Sequence, residues 1–423
     1  MEERFLMTKS EHAPESKSVK VVALVTALCL LGDSLLYVAL PIYYREVGLQ
    51  SLWEVGIILS LNRFVRIPIN PLVGKCYQHV TLRTGLLIAV SLTLVTTIGY
   101  GVGYGFFVWV ILRLLWGIAW SFLRLGGLFT VLEEATDSNR GKLMGQYNGL
   151  YRLGSLGGML GGGILASFIG LSETAIIFGV LAVLAIPYVL RYVPSLAQER
   201  TGQPEGDSTE KKRKGLYGRH AILAISSGLL LALFLQGLFG STLSLLMLEH
   251  YGETIYIVGM IVGVTALSGV LQGVRWVWEP FLAVLFGHWS DGDRGRLPLF
   301  ILFLIMTALG YGAMVLSLPL IIWLAAVIVV MVASTALTTL IDALTSDVAK
   351  GQDANRVMTS YTVFLDVGAA LGPLLAYFLL DIGLSLTFVY LSSAVIFLLL
   401  AVQWGWCYLR DPFYRHDSMR KAV

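Results

Sequence analysis

Apolar residues occur along this chain in long, nearly continuous runs, and polar residues gather in the short stretches between those runs. A helix that crosses a membrane needs about 20 mainly apolar residues. Twelve runs reach that length, so we predict an all-α membrane protein with twelve transmembrane helices. The predicted spans are roughly 21–44, 53–73, 84–103, 106–132, 142–169, 173–192, 219–247, 254–287, 298–316, 319–345, 356–380 and 384–409.

The eighth run, 254–287, is too long for one straight crossing. We expect an irregular or strongly tilted part near its SGVLQG sequence. All these boundaries follow from hydropathy alone, which places helix ends only to within several residues.

The composition favours the same class of protein. Of the 423 residues, 56% are hydrophobic and 13% are charged, and the mean hydropathy is +0.76. A soluble domain has about 25% charged residues, and it would have no place for this much apolar surface. Nucleotide-binding loops, dinucleotide fingerprints, zinc-protease motifs and nucleophile elbows are absent from the sequence. We therefore expect neither an enzyme nor a bound metal, cofactor or nucleic acid.

Lysine and arginine are concentrated in alternate connections between the predicted spans. Most of the 30 lie in the two tails, near span ends and in one set of connections, at 74–83, 133–141, 193–218, 288–297 and 346–355. The other set of connections contains Arg45 alone. Because basic loops stay in the cytoplasm, we predict a multi-pass protein of the inner (plasma) membrane with both termini cytoplasmic.

The segment 193–218 is polar, charged and rich in glycine and proline, which predicts a cytoplasmic linker. It divides the chain into two bundles of six helices. The predicted units are a tail at 1–20, a bundle at 21–192, the linker, a bundle at 219–410 and a tail at 411–423.

The two bundles are related in sequence. RFVRIP (63–68) and RWVWEP (275–280) share an arginine, an aromatic residue, a valine and a proline at equal spacing. QYNGLYRLGSLGG, around Arg152, aligns in the same way with SYTVFLDVGAALG, around Asp366. Repeats separated by about half the chain predict two pseudo-symmetric halves in the same orientation.

Three sequence motifs of this chain resemble motifs of the major facilitator superfamily. They are GKCYQHVTLR from residue 74, RLLWG from residue 113 and GHWSDGDRGR from residue 287. The first of them has Tyr77 where the superfamily motif has an aspartate. The resemblance implies gating or structural roles for Gly74, Arg83, Arg113, Gly117, Gly154, Gly158, Gly287, Asp291 and Arg296.

The fifth predicted helix resembles that of the twelve-helix drug–proton antiporters, which are exporters. Its glycines match the antiporter pattern at Gly145, Gly154, Gly158, Gly162 and Gly163, whereas Met159 replaces the proline. The resemblance implies export. The alternative is a packing face of small residues, which many membrane helices have.

Ten charged residues lie inside predicted spans, where an ionised group is costly unless it faces a partner or water. They are Asp33, Arg63, Arg66, Arg113, Arg124, Arg152, Arg275, Glu279, Asp342 and Asp366. The first half has five of these arginines, and the second half has three of the four acidic residues. A cavity with one basic and one acidic wall suits an anionic or zwitterionic substrate, and membrane carboxylates can carry protons.

These charges and their polar neighbours supply the candidate site. The substrate-binding candidates are Asp33, Tyr37, Arg63, Arg66, Trp120, Asn148, Arg152 and Tyr361. The proton-coupling candidates are Asp366 first, then Asp342 and Asp33.

Several of these residues have an alternative role in which they pair or pack. Asp33 can pair with Arg63 or Arg66, and Arg152 can pair across the halves with Asp366. Arg275 and Glu279 lie four residues apart, which favours a local ion pair. Trp116 and Trp120 can line a pocket or pack against lipid and helices.

The sequence as a whole predicts a secondary transporter, a monomer that works by alternating access in the lipid bilayer. The function that we expect is proton-coupled export of an organic anionic or zwitterionic amphiphile, such as a drug or metallophore. A proton gradient, rather than a cofactor, would supply the energy. The alternatives are import of an organic anion or metabolite, and transport of a lipid or lysolipid.

Overall fold

The fold comes from a computed structural model, which describes residues 17–135, 139–193, 218–257, 260–290, 295–349 and 354–410. The predicted C-terminal tail, most of the N-terminal tail and linker, and Asp291 lie outside the described residues. Within them, the protein is an all-α membrane protein, as predicted, apart from one short β-hairpin.

The helices follow one another in two halves. The first half contains α1 (Lys17–Tyr43), α2 (Leu52–Cys76), α3 (Leu82–Val102), α4 (Phe106–Glu134), α5 (Arg140–Ala182) and α6 (Ala185–Tyr192). The second half contains α7 (Arg219–Leu231), a π-helical stretch (Ala232–Leu238), α8 (Phe239–Tyr251), strands β1 (Thr254–Ile257) and β2 (Met260–Gly263), α9 (Val264–Ser290), α10 (Arg296–Met314), α11 (Leu320–Ala349), α12 (Ala354–Asp381) and α13 (Leu386–Arg410).

Nine helical segments of the described chain are long and apolar enough to cross a membrane. One of them, 142–192, has 51 residues. It turns at Gly170, whose φ of 86° is outside the helical range, so it has the length and the break for two crossings. The segments α2 and α9, which contain intramembrane charges and prolines, are not among the nine. The count of twelve stays a prediction.

The predicted helical span at 254–287 is irregular, but before Val264 rather than near SGVLQG, which is helical. Strands Thr254–Ile257 and Met260–Gly263 pair antiparallel, with Thr254 opposite Gly263, and the helix begins only at Val264. The hairpin sequence is apolar, but it consists largely of β-branched and aromatic residues, which favour strands. Hydropathy alone cannot distinguish such a run from part of a helix. A smaller correction concerns α1, which begins at Lys17, inside the predicted tail.

The two halves touch at the end of the bundle that carries the hairpin, which we call the hairpin end. A Cβ on Gly163 of α5 would lie 2.7 Å from the Thr265 carbonyl oxygen and 2.9 Å from Gly269 Cα, both on α9. A Cβ on Gly56 of α2 would likewise lie 3.0 Å from the Pro373 carbonyl oxygen of α12. Both seams therefore depend on the close backbone approach that glycine permits.

The halves separate at the opposite end, where α1 begins, which we call the Lys17 end. A Cβ on Gly145 or Gly149, in the first turns of α5, would meet no atom within 4 Å. The helix α5 thus packs tightly against α9 near the hairpin and diverges from it towards the Lys17 end. This divergence leaves an internal cavity between the halves.

Replacing Gly163 with valine should destabilise this arrangement. The added side chain would overlap the α9 backbone, and overpacking of this kind costs about 1–3 kcal/mol. We expect a lower midpoint of thermal unfolding and impaired transport, since the hairpin end could no longer close. The matched control is Gly161→Val on the same helix, where a Cβ meets nothing within 4 Å. Equal unfolding midpoints for the two variants would contradict the proposed contact.

Candidate functional site

A cavity of about 480 Å³ lies between the two halves, with walls from both of them. Seven of the predicted site residues line it: Asp33, Tyr37, Arg63, Arg66, Trp120, Arg152 and Asp342. The lining also includes Ser34, Gln236, Phe239, Gln272 and Thr339, which were not among the predicted site residues. A glutamine or serine in an apolar span is a weak polar signal that could have pointed to some of them. The sequence does not mark Phe239, because apolar residues are common throughout the spans.

Asp33 is paired with Arg113 rather than with Arg63 or Arg66, so the predicted partner was wrong. The Arg113 side chain is fully buried, and its NH1 donates to Asp33 Oδ1 at 2.5 Å. Its Nε donates to the Ile58 carbonyl oxygen at 2.9 Å. Asn62 Nδ2 lies 3.4 Å from the same Asp33 oxygen. Asp33 therefore reaches the cavity as half of an ion pair that is already neutralised.

This position favours the structural role, rather than the gating role, among those that the resemblance implied for Arg113. Arg83 lies at the Lys17 end, at the start of α3, but Arg113 follows soon after α4 begins at the other end. Arg113 joins α4 to α1 and α2 inside the first half, which is a structural role.

Arg63 and Arg66 line the cavity from one face of α2, as their spacing of three residues predicts. Arg66 Nε donates to the Asn62 carbonyl oxygen at 3.1 Å, and its guanidinium group lies 6.0 Å from the Trp120 ring centre. Arg63 lies within electrostatic range of Tyr37 and Asp366. Among the described residues, neither arginine has a carboxylate within 4 Å. These two cations are thus the least neutralised in the cavity wall.

Arg152 crosses between the halves and meets Glu279 instead of the predicted Asp366. Its NH1 donates to Glu279 Oε1 at 3.1 Å, and its guanidinium group lies 5.5 Å from the Trp276 ring centre. The predicted local pair of Arg275 and Glu279 is present, although longer, at 3.6 Å. Glu279 is therefore shared by two arginines, one from each half, and this group has a net positive charge.

The acidic wall consists mainly of Asp342. This carboxylate is exposed to the cavity, and it accepts a hydrogen bond of 2.5 Å from Tyr361. Tyr361, a predicted substrate contact, is itself buried and does not line the cavity, so it positions Asp342 instead. Asp366 is also absent from the cavity lining, but it lies within electrostatic range of Arg63 and Arg66.

Asn148, another predicted substrate contact, lies outside the main cavity. Its Oδ1 accepts a hydrogen bond of 3.0 Å from Arg124, whose guanidinium group also contacts the rings of Tyr147 and Tyr151. Asn148 lines a second and smaller pocket between α5 and α9. It therefore belongs to the seam between the halves.

The glycines that the resemblance singled out differ in their surroundings. Gly154 and Gly158 lie directly against the backbone of α1, and Gly117 lies against α2. At Gly74 and Gly287, an added Cβ would meet nothing within 4 Å. The first three glycines hold helices together within one half.

The two loop motifs at the Lys17 end are stabilised by different interactions. In the second half, Arg296 forms an ion pair with Asp347 at 2.5 Å. In the first half, the spacing from Gly287 to Asp291 makes Gln78, rather than the predicted Tyr77, the equivalent of the aspartate. Tyr77 is buried, and its hydroxyl donates to the Phe122 carbonyl oxygen at 2.8 Å. This tyrosine thus ties α2 to α4 beside the motif.

The pair of Asp33 and Arg113 should be necessary for stability. Arg113→Ala leaves the buried Asp33 carboxylate without its cation, and breaking a buried pair in this way costs about 3–5 kcal/mol. We expect a large fall in the thermal unfolding midpoint of the purified protein. The double variant Asp33→Asn with Arg113→Ala should recover part of that loss, because it removes the unpaired charge. If the unfolding midpoint of the double variant is no higher than that of Arg113→Ala, the unpaired Asp33 charge is not the cause of the destabilisation.

Comparison with known proteins identifies the family. The Major Facilitator Superfamily model matches residues 22–278 and 279–420. No curated protein matches the chain. Among solved structures, a POT family transporter in complex with 5-aminolevulinic acid is similar, with 10% identity and a TM-score of 0.70 over 92% of this chain and 94% of that one.

A second POT family structure, in complex with a thioalcohol-conjugated peptide, has the same identity and TM-score over 93% of this chain and 96% of that one. The nucleoside transporter NupG is also similar, with 11% identity and a TM-score of 0.68 over 93% of this chain and 98% of that one. At such low identity the solved structures show the fold, while the family model covers nearly the whole sequence. The protein therefore belongs to the major facilitator superfamily and is a multi-pass membrane transporter, not an enzyme.

Proposed function

We propose that this transporter exports an organic anion or zwitterion with an apolar part, in exchange for protons. The main support for this proposal is that Arg63 and Arg66 face the cavity without a carboxylate partner among the described residues. Both guanidinium groups line the central cavity, and among the described residues no carboxylate lies within 4 Å of either. Guanidinium groups bind carboxylate and phosphate through paired hydrogen bonds, so an anionic group is the matching ligand.

The other cavity charges give the substrate an orientation. Asp342 is on the opposite half, exposed to the same cavity and held by Tyr361. An anionic group at Arg63 and Arg66 would leave a cationic or hydrogen-bonding part to face Asp342. The rings of Trp116 and Trp120 lie beside the two arginines and suit an apolar part of the substrate.

Protons are the proposed coupling ion, and Asp342 is the proposed carrier. Of the three predicted carboxylates, it alone both lines the cavity and lacks an arginine partner among the described residues. Asp33 already forms an ion pair with the buried Arg113. Asp366 does not line the cavity, but its proximity to Arg63 makes it the second candidate.

The proposed direction is outward, with both termini in the cytoplasm of a cell whose plasma membrane holds the protein as a monomer. With that orientation, the cavity between the halves would open to the cytoplasm, because the halves separate at the Lys17 end. The glycine series of α5 supports export through its resemblance to the antiporters. Gly163, the last member of the series, contacts α9 across the seam between the halves, whereas Gly154 and Gly158 contact α1 within one half.

The anion site predicts that Arg63→Ala and Arg66→Ala each weaken substrate binding. Losing a hydrogen bond to a charged group costs about 1.5–3 kcal/mol, which corresponds to about 10- to 100-fold in affinity. The measurement is a binding screen of organic anions on the purified protein in lipid nanodiscs. Arg45→Ala is the control, because Arg45 is exposed and lies beyond the end of α1. Normal binding by both cavity variants would refute the proposed site.

Proton exchange predicts a specific effect of Asp342→Asn. In everted vesicles with an acidic lumen, the wild-type protein should accumulate the substrate identified by the screen, and the variant should not. Substrate exchange without a gradient should survive in the variant, since the arginines remain. Asp381→Asn is the control, because Asp381 is an exposed carboxylate at the end of α12 and does not line the cavity. Accumulation independent of the pH gradient would refute coupling to protons, and accumulation only in right-side-out vesicles would reverse the direction.

A further inference from the structure

A second pocket of about 200 Å³ lies along the seam between α5 and α9. Its wall is mostly apolar and includes Leu153 and Leu156 of α5. Arg152, Trp276 and Pro280 line both this pocket and the central cavity. The two pockets are therefore neighbours that meet at these three side chains.

The pocket exists because two glycines leave space where other residues would fill it. Gly145 and Gly149 lie on the lining, and a Cβ at either would meet no atom within 4 Å. Further along α5, Gly163 lies directly against Gly269 of α9. The seam is thus closed at the hairpin end and forms a groove towards the Lys17 end.

The groove opens to the outside of the bundle. Of the residues that line it, Gly145, Gly149 and Leu153 on α5 and Pro280 on α9 are exposed, and Leu153 is 49% exposed. In a membrane protein, large apolar side chains that face outward contact lipid. The groove therefore lies between the side chains that it shares with the charged cavity and the hydrocarbon of the bilayer.

We propose that this α5–α9 groove binds the apolar tail of the substrate, which is a single-chain amphiphile with an anionic head group. The proposal rests on the anion site proposed above, since the head group would lie at Arg63 and Arg66. The tail would pass Trp276 and lie along Gly149 and Leu153. An amphiphile could then enter from the membrane without moving its tail through water. Because the transfer of methylene groups from the groove into water is unfavourable, the tail would stay in the groove.

Arg152 marks the boundary between the two parts of the site. Its guanidinium group binds Glu279 and lies over the Trp276 ring, at the junction of the pockets. On one side of it are the cavity charges, and on the other side are glycines and leucines. A molecule with a charged end and an apolar end matches this order of surfaces, whereas a small anion would fill only the cavity.

The test uses butyl, octyl and dodecyl phosphate as probes, with the full-length protein held in amphipols. For the wild-type protein, we expect affinity to rise by up to about fourfold for each added methylene until the groove is full. Gly149→Leu should fill the groove, weakening dodecyl phosphate binding by about tenfold while leaving butyl phosphate within twofold. The matched control is Gly161→Leu, which adds the same side chain to open space elsewhere on α5 and should change neither probe.

The outcomes separate this inference from the anion site on which it rests. Suppose that butyl phosphate binds, that Arg63→Ala weakens it, and that Gly149→Leu affects all chain lengths equally or none. The groove proposal is then overturned and the anion site stands. If no probe shows binding that depends on Arg63, the anion site fails and the groove proposal fails with it. Retained butyl phosphate binding in Gly149→Leu also shows that this variant is folded.

Discussion

The structure is organised by the cost of placing an ionised side chain inside a membrane. Such a group needs a counter-charge, hydrogen bonds or water, and this protein uses each solution at a different place. Arg113 is enclosed completely by Asp33, Tyr100 and the Ile58 carbonyl oxygen. Arg63 and Arg66 instead face a cavity large enough for water or substrate. The chain thus separates charges that hold helices together from charges that remain free to bind.

The internal repeat places opposite charges across both seams between the halves. Arg152 on α5 meets Glu279 on α9. The equivalent seam joins α12 to α2, where Asp366 lies within electrostatic range of Arg63. Because Arg152 and Asp366 are equivalent in the repeat, the polarity of the two seams is reversed. The first half therefore supplies the arginine at both seams, and the second half supplies the acidic residue.

Close packing at the hairpin end and open space at the Lys17 end have a common origin in the glycines. Gly163 and Gly269 let α5 and α9 touch, whereas Gly145 and Gly149 leave the groove between the same two helices. Glycine supplies no side chain in either case, and the distance between the helices decides whether the result is a contact or a pocket. The glycine pattern of α5 was visible in the sequence, but its two opposite effects depend on how the helix is tilted against its neighbour.

The sequence determined by itself the membrane class and the superfamily, and it predicts the two-half organisation and the charges inside the spans. These properties follow from local composition and from repeats, because the cost of transferring a residue into the membrane belongs to the residue and its immediate neighbours. Hydropathy was insufficient to predict the secondary structure just before Val264, where two apolar strands rich in β-branched residues, Thr254–Ile257 and Met260–Gly263, pair with each other. Only the tertiary structure decided the partners: Asp33 binds an arginine 80 residues away, and Arg152 binds Glu279 in the other half. Each intramembrane charge had several partners of suitable sign, and only the packing of distant helices fixes which one lies within hydrogen-bonding distance.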